Sequence, residues 1–395
     1  MTPPLVINWP LSSLTGYGLY GLEILRQHLK RGGTSFALTD HLIEPIELPE
    51  DVDGRLRPLL EPSSQAARFL DANPSERLHF DGPVLHGVGN CYAHFKNQFR
   101  VRGRPNIGCA AIEELACPPD WRPFLQIYDM FIAISTWNAD YLRSLGLGKP
   151  VHLCRQGIDT QRFFPAQRSA LFGDRFVIFS GGKLEFRKGQ DIVLAAFKRF
   201  QATHDDVLLV TSWQNAQMPE LAAFENRGLC VSVPSPLEDG RGLNIAAWLA
   251  REGLPPGSFV DLGWQHNKAM PRFLHASDIA IFPNRCEGGT NLVAMEAIAC
   301  GVPTYLAANT GQADLIEQSG CSSFRQQKPV LSTPGIMSVE GWGETAVDEV
   351  VAALAFVYEN RHSARIEASK AALNMQKWDW VLQSEKLLQL IYKAG

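Results

Sequence analysis

The segment around residue 290 constrains the fold more than any other part of the sequence. The apolar run Ile279–Phe282 predicts a buried parallel strand, and residues 292–299 carry apolar side chains at helical spacing. Another apolar run, Thr304–Ala307, follows a glycine and a proline that are typical of a helix end. This alternation of strands and helices predicts an α/β protein with a doubly wound parallel sheet.

The turn between this strand and this helix predicts an anion site. Gly288 and Gly289 lie at the helix start, where N–H groups and the helix dipole favour a phosphate. The short side chains of Thr290 and Asn291 either cap the helix or contact the ligand. Together with Leu292, these residues form the predicted binding turn. The alternative is a tight turn without a ligand.

Two carboxylates flank the turn. Glu287 stands in the loop, and Glu296 lies about one and a half turns into the helix, near enough to its start to reach a ribose diol. A site for phosphate alone would not favour carboxylates, whereas neutral hydroxyl groups donate hydrogen bonds to them. The expected ligand therefore has both phosphate and sugar parts.

A basic loop follows another predicted strand at residues 176–179 and precedes a helix predicted at 191–200. It contains Lys183, Arg187 and Lys188. Cations in a glycine-bearing loop just beyond a strand end suit a diphosphate whose negative charge grows as it leaves. The alternative is a solvated basic turn.

Composition and cysteine spacing exclude several classes of protein. A chain of 395 residues, 45% hydrophobic and 20% charged, has room for two ordinary soluble domains. A net charge of −4 gives no general attraction to nucleic acid. The eight cysteines show no Cys-x-x-Cys pair, so we expect free thiols and no metal site. Without a signal peptide or a membrane-spanning apolar run, a cytoplasmic protein with no transmembrane segment is expected.

The amino-terminal half shows the same alternation of elements. A strand at residues 5–8 and a helix at 19–30 frame a predicted loop that contains Gly16 and Gly18. His86 is expected after a strand, at the sheet edge where open α/β sheets bind ligands, with a core histidine as the alternative. Further strands are predicted at residues 35–38, 130–134, 207–210 and 259–262, whereas 44–74 is expected to be irregular with at most a short helix.

The carboxyl-terminal half resembles the retaining GT-B glycosyltransferases. That family carries a glutamate, a glycine-containing turn, a second glutamate and then Ala-x-Ala-Cys-Gly, a pattern similar to residues 287–301. Eight residues separate Glu287 from Glu296, where most of the family has seven. In the family's Gly-Arg-Leu block, which ends in Lys-Gly, Lys183 takes the position of the Arg and Lys188 that of the Lys.

The resemblance implies a GT-B fold, in which two Rossmann-like doubly wound domains face each other across a cleft. Residues 156–165 are similar to the family's interdomain segment. The implied domains are an acceptor domain at 1–155 and a nucleotide-sugar-binding domain at 156–375. A final helix within 376–395 is expected to pack back on the first domain.

The resemblance also implies an activity. A hexose would pass from a nucleotide diphosphate sugar to a hydroxyl acceptor, with retention of anomeric configuration and without a metal or other cofactor. The acceptor would be a glycan, a small molecule or a lipid-linked molecule, the last at the periphery of a membrane.

The family's functional residues imply roles for matching positions here. Lys183 and Lys188 would stabilise the departing diphosphate. Glu287 would orient the transferred sugar or stabilise charge at its anomeric carbon, Glu296 would hold the ribose, and His86 would lie near the sugar. The expected donor-binding residues are Gly16, Gly18, Gly288, Gly289, Thr290, Asn291, Leu292 and Glu296.

Two other functions are compatible with the same motifs. A sugar-nucleotide epimerase of this fold would convert its donor without any acceptor. A GT-B protein without catalytic activity would bind nucleotide sugar and release it unchanged, because a fold alone does not guarantee chemistry.

Overall fold

The computed structural model describes residues 4–37, 50–92, 97–116, 119–215, 221–225 and 227–393. The chain divides into two compact units. Unit 1 comprises residues 1–157 and 378–395, and unit 2 comprises residues 158–377. Each unit is built on a six-stranded sheet.

The sheet of unit 1 is entirely parallel. Its strands and a small separate pair are, in chain order, β1 (Leu5–Asn8), β2 (Ser35–Ala37), β3 (Leu78–His79), β4 (Val84–Val88), β5 (Val101–Arg102), β6 (Asn106–Ala110), β7 (Met130–Ala133) and β8 (Val151–Leu153). The order in the main sheet is β2-β1-β4-β6-β7-β8, and β3 pairs with β5. Strands β1, β4, β6 and β7 are buried along their whole length, as in a parallel sheet covered on both faces.

The main sheet of unit 2 is also parallel. The strands of this unit are β9 (Phe176–Gly181), β10 (Val207–Ser212), β11 (Phe259–Asp261), β12 (Ile279–Phe282), β13 (Thr304–Ala307), β14 (Ser322–Phe324), β15 (Gln327–Pro329) and β16 (Gly343–Thr345). The sheet order is β11-β10-β9-β12-β13-β14, while β15 and β16 form an antiparallel pair. The apolar runs in the sequence therefore predicted five of the six strands of this sheet, whereas β14 was not predicted.

Helices connect the strands in both units. In chain order they are α1 (Gly16–Lys30), α2 (Glu50–Ala72), α3 (Thr136–Ser144), α4 (Gln190–Gln201), α5 (Leu221–Glu225), α6 (Ile245–Arg251), α7 (Met270–Leu274), α8 (Leu292–Ala299), α9 (Gln312–Ser319), α10 (Val347–Glu359), α11 (Arg361–Met375) and α12 (Trp380–Lys393). Single 3₁₀ turns at Phe186–Lys188 and Asn267–Ala269 lie beside the candidate site. The parallel sheets with connecting helices confirm the predicted α/β class.

The last helix belongs to unit 1, although the chain reaches it only after passing through unit 2. Helix α12 packs against α1. Trp380 stacks on Tyr20 with ring centroids 6.1 Å apart, and Tyr392 stacks on His28 at 5.9 Å. Aromatic contacts at both ends of α12 thus fix the chain end to the first helix.

Helix α2 contradicts the prediction of an irregular segment at residues 44–74. It extends over 23 residues despite Pro58 and Pro62 in its interior. Leu56 and Leu70 on it are almost fully buried, and their spacing of four helical turns places them on one face. Burial of this face outweighs the helix-breaking tendency of the prolines. The part of the predicted segment before residue 50 lies outside the described residues.

Candidate functional site

The site in unit 2 lies where the sheet order reverses. From β9 the chain passes to β10 and β11 on one side, and β12 returns to the other side of β9, with Ile279 paired to Ile178. The two loops that follow β9 and β12 therefore leave the same edge of the sheet on neighbouring strands. In open α/β sheets this switch point at the carboxyl ends of the strands is where ligands bind.

The glycine turn after β12 is closely packed. Gly311 donates its N–H to the Glu287 carbonyl at 2.9 Å. A Cβ added to Gly311 would lie 1.8 Å from the Gly289 carbonyl oxygen, so only glycine fits at position 311. The close approach of the segment that contains Gly311 holds the backbone of Gly288 and Gly289 in place.

The helix start at the end of this turn uses its own polar side chains. Asn291 has a φ of 63°, and its Oδ1 accepts the N–H of Ala294 at 3.4 Å, so it is the N-cap of α8. The Thr290 hydroxyl contacts the sulfur of Met295 at 3.2 Å. Both side chains thus have structural roles, and α8 begins at Leu292. Ligand contact by the five residues of this turn stays a prediction.

Glu287 lies at the centre of a charged cluster. It is 4% exposed, and one carboxylate oxygen, Oε1, accepts hydrogen bonds from Lys188 Nζ and Asn284 Nδ2. The other oxygen, Oε2, contacts Arg187 Nη1 at 3.1 Å. Burial alone would raise the pKa of Glu287, but Lys188 and Arg187 offset this and hold the pKa below its usual value. Glu287 is therefore ionised at neutral pH.

The two predicted lysines of the basic loop have different environments. Lys188 is mostly buried against Glu287, with its side chain 11% exposed. Lys183 is 44% exposed, and its Nζ lies 3.9 Å from Glu185. Arg187 bridges the loops, because it contacts Glu185 at 2.6 Å as well as Glu287. The structure thus brings Lys188 and Glu287 together and leaves the Lys183 ammonium toward solvent.

Glu296 is buried on α8 in a less charged environment. Its Oε1 accepts a hydrogen bond from Asn267 Nδ2, and Asn267 Oδ1 in turn accepts from Arg162 Nη1 at 2.8 Å. Burial raises the pKa of Glu296 to about 8, although the Asn267 hydrogen bond and the Arg162 charge oppose the shift. The two glutamates that flank the turn therefore differ in ionisation at neutral pH.

Sequence reasoning missed the most deeply buried charge of the site, Arg285. Its side chain is fully buried and forms two hydrogen bonds with Asp191, at 2.8 and 2.7 Å. A third goes to Glu344 at 2.7 Å. Burial would lower the pKa of Arg285, but Asp191 and Glu344 keep it raised. An arginine just after a buried strand was the only available signal, and its partners lie 94 and 59 residues away.

The structure corrects the predicted position of His86 in unit 1. His86 lies within β4, not in a loop after it, and is fully buried. Its Nδ1 accepts from Asn8 Nδ2 at 3.1 Å, so Nε2 carries the proton that bonds Asn106 Oδ1 at 2.7 Å. Burial lowers the pKa of His86 to about 4, which keeps the ring neutral. The arrangement is that of the alternative reading, a core histidine with both nitrogens satisfied.

Gly16 and Gly18 are also placed differently from the prediction. They belong to the first turn of α1, which begins three residues earlier than expected, and not to a loop before it. The Gly18 N–H donates to the capping hydroxyl of Thr15 at 3.2 Å. A Cβ at Gly18 would lie 2.5 Å from Ser12, so this glycine allows a close backbone approach. Contact of either glycine with a donor stays a prediction.

The described residues include free thiols but no cluster of metal-ligating side chains. The cysteines described are free thiols, and most are buried. Among the residues placed by the structure, no group of three or more His, Cys, Asp or Glu side chains could hold a metal ion. Likewise, none of the described helices is both long and apolar enough to cross a membrane.

Two doubly wound sheets, with a charged turn at the switch point of the second, define the class as the GT-B fold. Solved structures support this. Sucrose-phosphate synthase from Thermosynechococcus elongatus matches with a TM-score of 0.64 over 100% of both chains at 15% identity. Anabaena HepE in complex with UDP-glucose matches with a TM-score of 0.63, 98% of this chain, 99% of that chain and 16% identity. These likenesses confirm the predicted fold.

Sequence matches cover parts of the chain, and the family model includes the glycine turn. Residues 265–387 match a family model described as family 4 glycosyltransferase in conflict systems. A stretch of 162 residues, 39% of this chain, is 32% identical to D-inositol 3-phosphate glycosyltransferase of Geodermatophilus obscurus and covers 32% of that relative. The chain thus aligns with about a third of the curated relative's length. The chain thus has the GT-B fold, and parts of its sequence are similar to glycosyltransferases.

Proposed function

We propose that this protein is a glycosyltransferase that moves a hexose from a nucleotide diphosphate sugar to a hydroxyl acceptor. One observation carries the proposal: at the carboxyl ends of adjacent strands β9 and β12, a basic loop meets a glycine turn and two buried glutamates. A diphosphate needs the cations and the turn, and sugar hydroxyls need the carboxylates. The Anabaena neighbour HepE, solved with UDP and with UDP-glucose, has the same fold.

In this proposal the cations act on the leaving group. Lys188 and Arg187 are already held in place by Glu287, so a diphosphate meets oriented charges with little reorganisation. The exposed Lys183 adds a third cation from the same loop. Three cationic side chains supply the positive charge that the departing diphosphate requires, and we therefore propose transfer without a metal ion.

The two glutamates have different proposed roles. Glu287, ionised in its cluster, faces the developing positive charge at the anomeric carbon and orients the transferred sugar. Glu296 accepts hydrogen bonds from the ribose hydroxyls, and ionises more readily once those donors surround it. His86 is left out of the proposed catalytic set because its ring is buried with both nitrogens occupied. Retention of anomeric configuration rests on the family resemblance.

The test is a panel of UDP-, GDP- and ADP-hexoses, incubated with the purified chain with and without simple sugar and glycolipid acceptors. The proposal predicts slow nucleotide release from one donor, faster release with a suitable acceptor, and a product whose anomeric proton coupling matches that of the donor. Conversion of the donor to its epimer without release would favour an epimerase. Binding without turnover for every acceptor would favour a non-catalytic protein, and no binding of any donor would contradict all three functions.

A further inference from the structure

The guanidinium of Arg285 lies between the two loops of the site and is bound on every side. Its Nη1 and Nη2 donate to the two oxygens of Asp191, and Nε donates to Glu344. Nη1 also donates to the Phe186 carbonyl at 2.8 Å. At least four of the five N–H groups of the guanidinium are thus used, in a planar pattern that only arginine provides.

These contacts reach the basic loop through its backbone. Phe186, whose carbonyl binds Arg285, directly precedes Arg187 and Lys188, and its ring lies 4.0 Å from the guanidinium carbon. The backbone N–H of Arg285 donates to the Arg187 carbonyl at 2.6 Å. Arg285 itself stands two residues before Glu287. One residue therefore ties the backbone of the cations to the backbone of the carboxylate that they contact.

The network is a costly way to stabilise a fold. Arg285 and Asp191 have fully buried side chains, and burial of an ion pair is often no more favourable than an apolar pair of the same volume. Glu344 is partly exposed and has a second partner in Arg227. A network of this kind gives directional contacts, which fix the relative position of two loops more precisely than apolar packing does.

We propose that Arg285 is a positioning residue of the diphosphate site. It holds the loop of Arg187 and Lys188 in register with Glu287, so that the cations meet the second phosphate of a bound nucleoside diphosphate. Its loss weakens recognition of that phosphate and leaves recognition of the nucleoside part in place. This inference rests on the proposed function, because it assumes that the site takes a nucleoside diphosphate.

The experiment compares affinities for nucleoside mono- and diphosphates in the full chain. UMP and UDP, GMP and GDP, and AMP and ADP are titrated by calorimetry, and the tightest-binding pair is used for the variants. The measured quantity is the ratio of the Kd for monophosphate to the Kd for diphosphate. In Arg285→Met we expect this ratio to fall about tenfold, or about 1.4 kcal/mol, with the monophosphate Kd changed less than about threefold.

A double variant separates positioning from folding. Arg285→Met alone leaves the Asp191 carboxylate buried without its main partner and is expected to lower Tm. Arg285→Met with Asp191→Leu removes both charges, so Tm should recover while the ratio stays low. Arg199→Met is the matched control, because Arg199 lies on α4 in an exposed pair with Asp348. It should change neither quantity.

The outcomes are distinct. A low ratio in both the single and the double variant supports the positioning role. An unchanged ratio in Arg285→Met, or a ratio restored together with Tm in the double variant, overturns it and leaves Arg285 a structural residue. A wild-type chain that does not prefer the diphosphate overturns the proposed function itself, and with it the premise of this inference.

Discussion

Both sheets of this protein reverse their strand order at the first strand, but they differ in chemistry at that switch point. In unit 1 the first strand, β1, has β2 on one side and β4 on the other, just as β9 lies between β10 and β12 in unit 2. Near the unit 2 switch point, Lys188 and Glu287 form a charged cluster. At β1 and β4 of unit 1, Asn8 and the neutral His86 form an uncharged network.

Topology determines where a ligand can bind, and side-chain charge determines which ligand binds there. A reversal of strand order yields a site suited to a diphosphate only where cations follow the strands, as after β9. The network around His86 in unit 1 is neutral and buried, and both ring nitrogens are occupied, so it offers no charge to a diphosphate. This contrast agrees with the proposal that the diphosphate binds at the charged edge of unit 2.

The largest effect on nucleotide release is expected when cations are removed from the charged edge of unit 2. Lys183→Ala combined with Lys188→Ala should lower nucleotide release from the preferred donor by about a thousandfold, because removal of one electrostatic donor typically costs a hundredfold or more. Release is measured at saturating donor. The control is Lys328→Ala with Lys370→Ala, which removes the same charge at exposed positions of unit 2. Turnover that survives the first pair would refute the proposed role of these lysines.

In unit 1, a substitution at His86 is expected to affect the stability of the fold and not the binding of a diphosphate. His86→Ala leaves Asn8 and Asn106 without their buried partner and should lower the free energy of unfolding by about 3 kcal/mol. The measurement is denaturant unfolding, with the exposed His362→Ala as control. If His86→Ala reduced the affinity for nucleoside diphosphate as strongly as the lysine substitutions do, the proposed contrast between the two sheet edges would be wrong.

His86 also predicts a pH dependence. Because its folded pKa is lowered from 6.5 to about 4, its stabilising contribution is complete above pH 6.5 and is lost as pH falls toward 4. The wild type should therefore lose up to about 1.4 kcal/mol per pH unit in that window from this group. In the Ala variant this part of the slope should disappear, and an unchanged slope would show that His86 titrates normally.

A pH dependence of opposite sign concerns Glu296, whose pKa is raised from 4.5 to about 8. A carboxyl whose folded pKa is raised costs stability as pH increases from about 5 to 8, by at most about 1.4 kcal/mol per unit. Glu296→Gln removes this dependence and should be more stable than the wild type at pH 8. The same variant should bind the nucleotide more weakly, because a carboxylate accepts two ribose hydroxyls. Equal stability at pH 8 would contradict the raised pKa.

The sequence predicted those parts of the fold that depend on local periodicity. Apolar runs such as Ile279–Phe282 marked the strands, because a strand buried on both faces has few alternatives. Periodicity failed where a local signal conflicted with tertiary burial. Pro58 and Pro62 suggested a break in α2, which burial of Leu56 and Leu70 overrides.

The candidate site was also predictable only in part, because some of its features are local in the sequence and others depend on tertiary contacts. The glycine turn and the basic loop are local patterns, so both were found. The contact of Lys188 with Glu287 joins residues 99 positions apart and depends on β9 and β12 being neighbours. The burial of Arg285 depends on three further segments. The spacing of residues in a single sequence does not predict such contacts. They can be inferred only when the order of the strands in the sheet is known.

Hydrogen exchange on the full chain, with and without a saturating nucleoside diphosphate, tests whether the diphosphate binds at the charged edge of unit 2. We expect slower exchange of backbone amides in residues 182–189 and 286–294 of unit 2, and a loss of that protection in Lys183→Ala/Lys188→Ala. Protection confined to residues 9–18 and 87–92 of unit 1, or none in either edge, would contradict the assignment of the diphosphate to the charged edge.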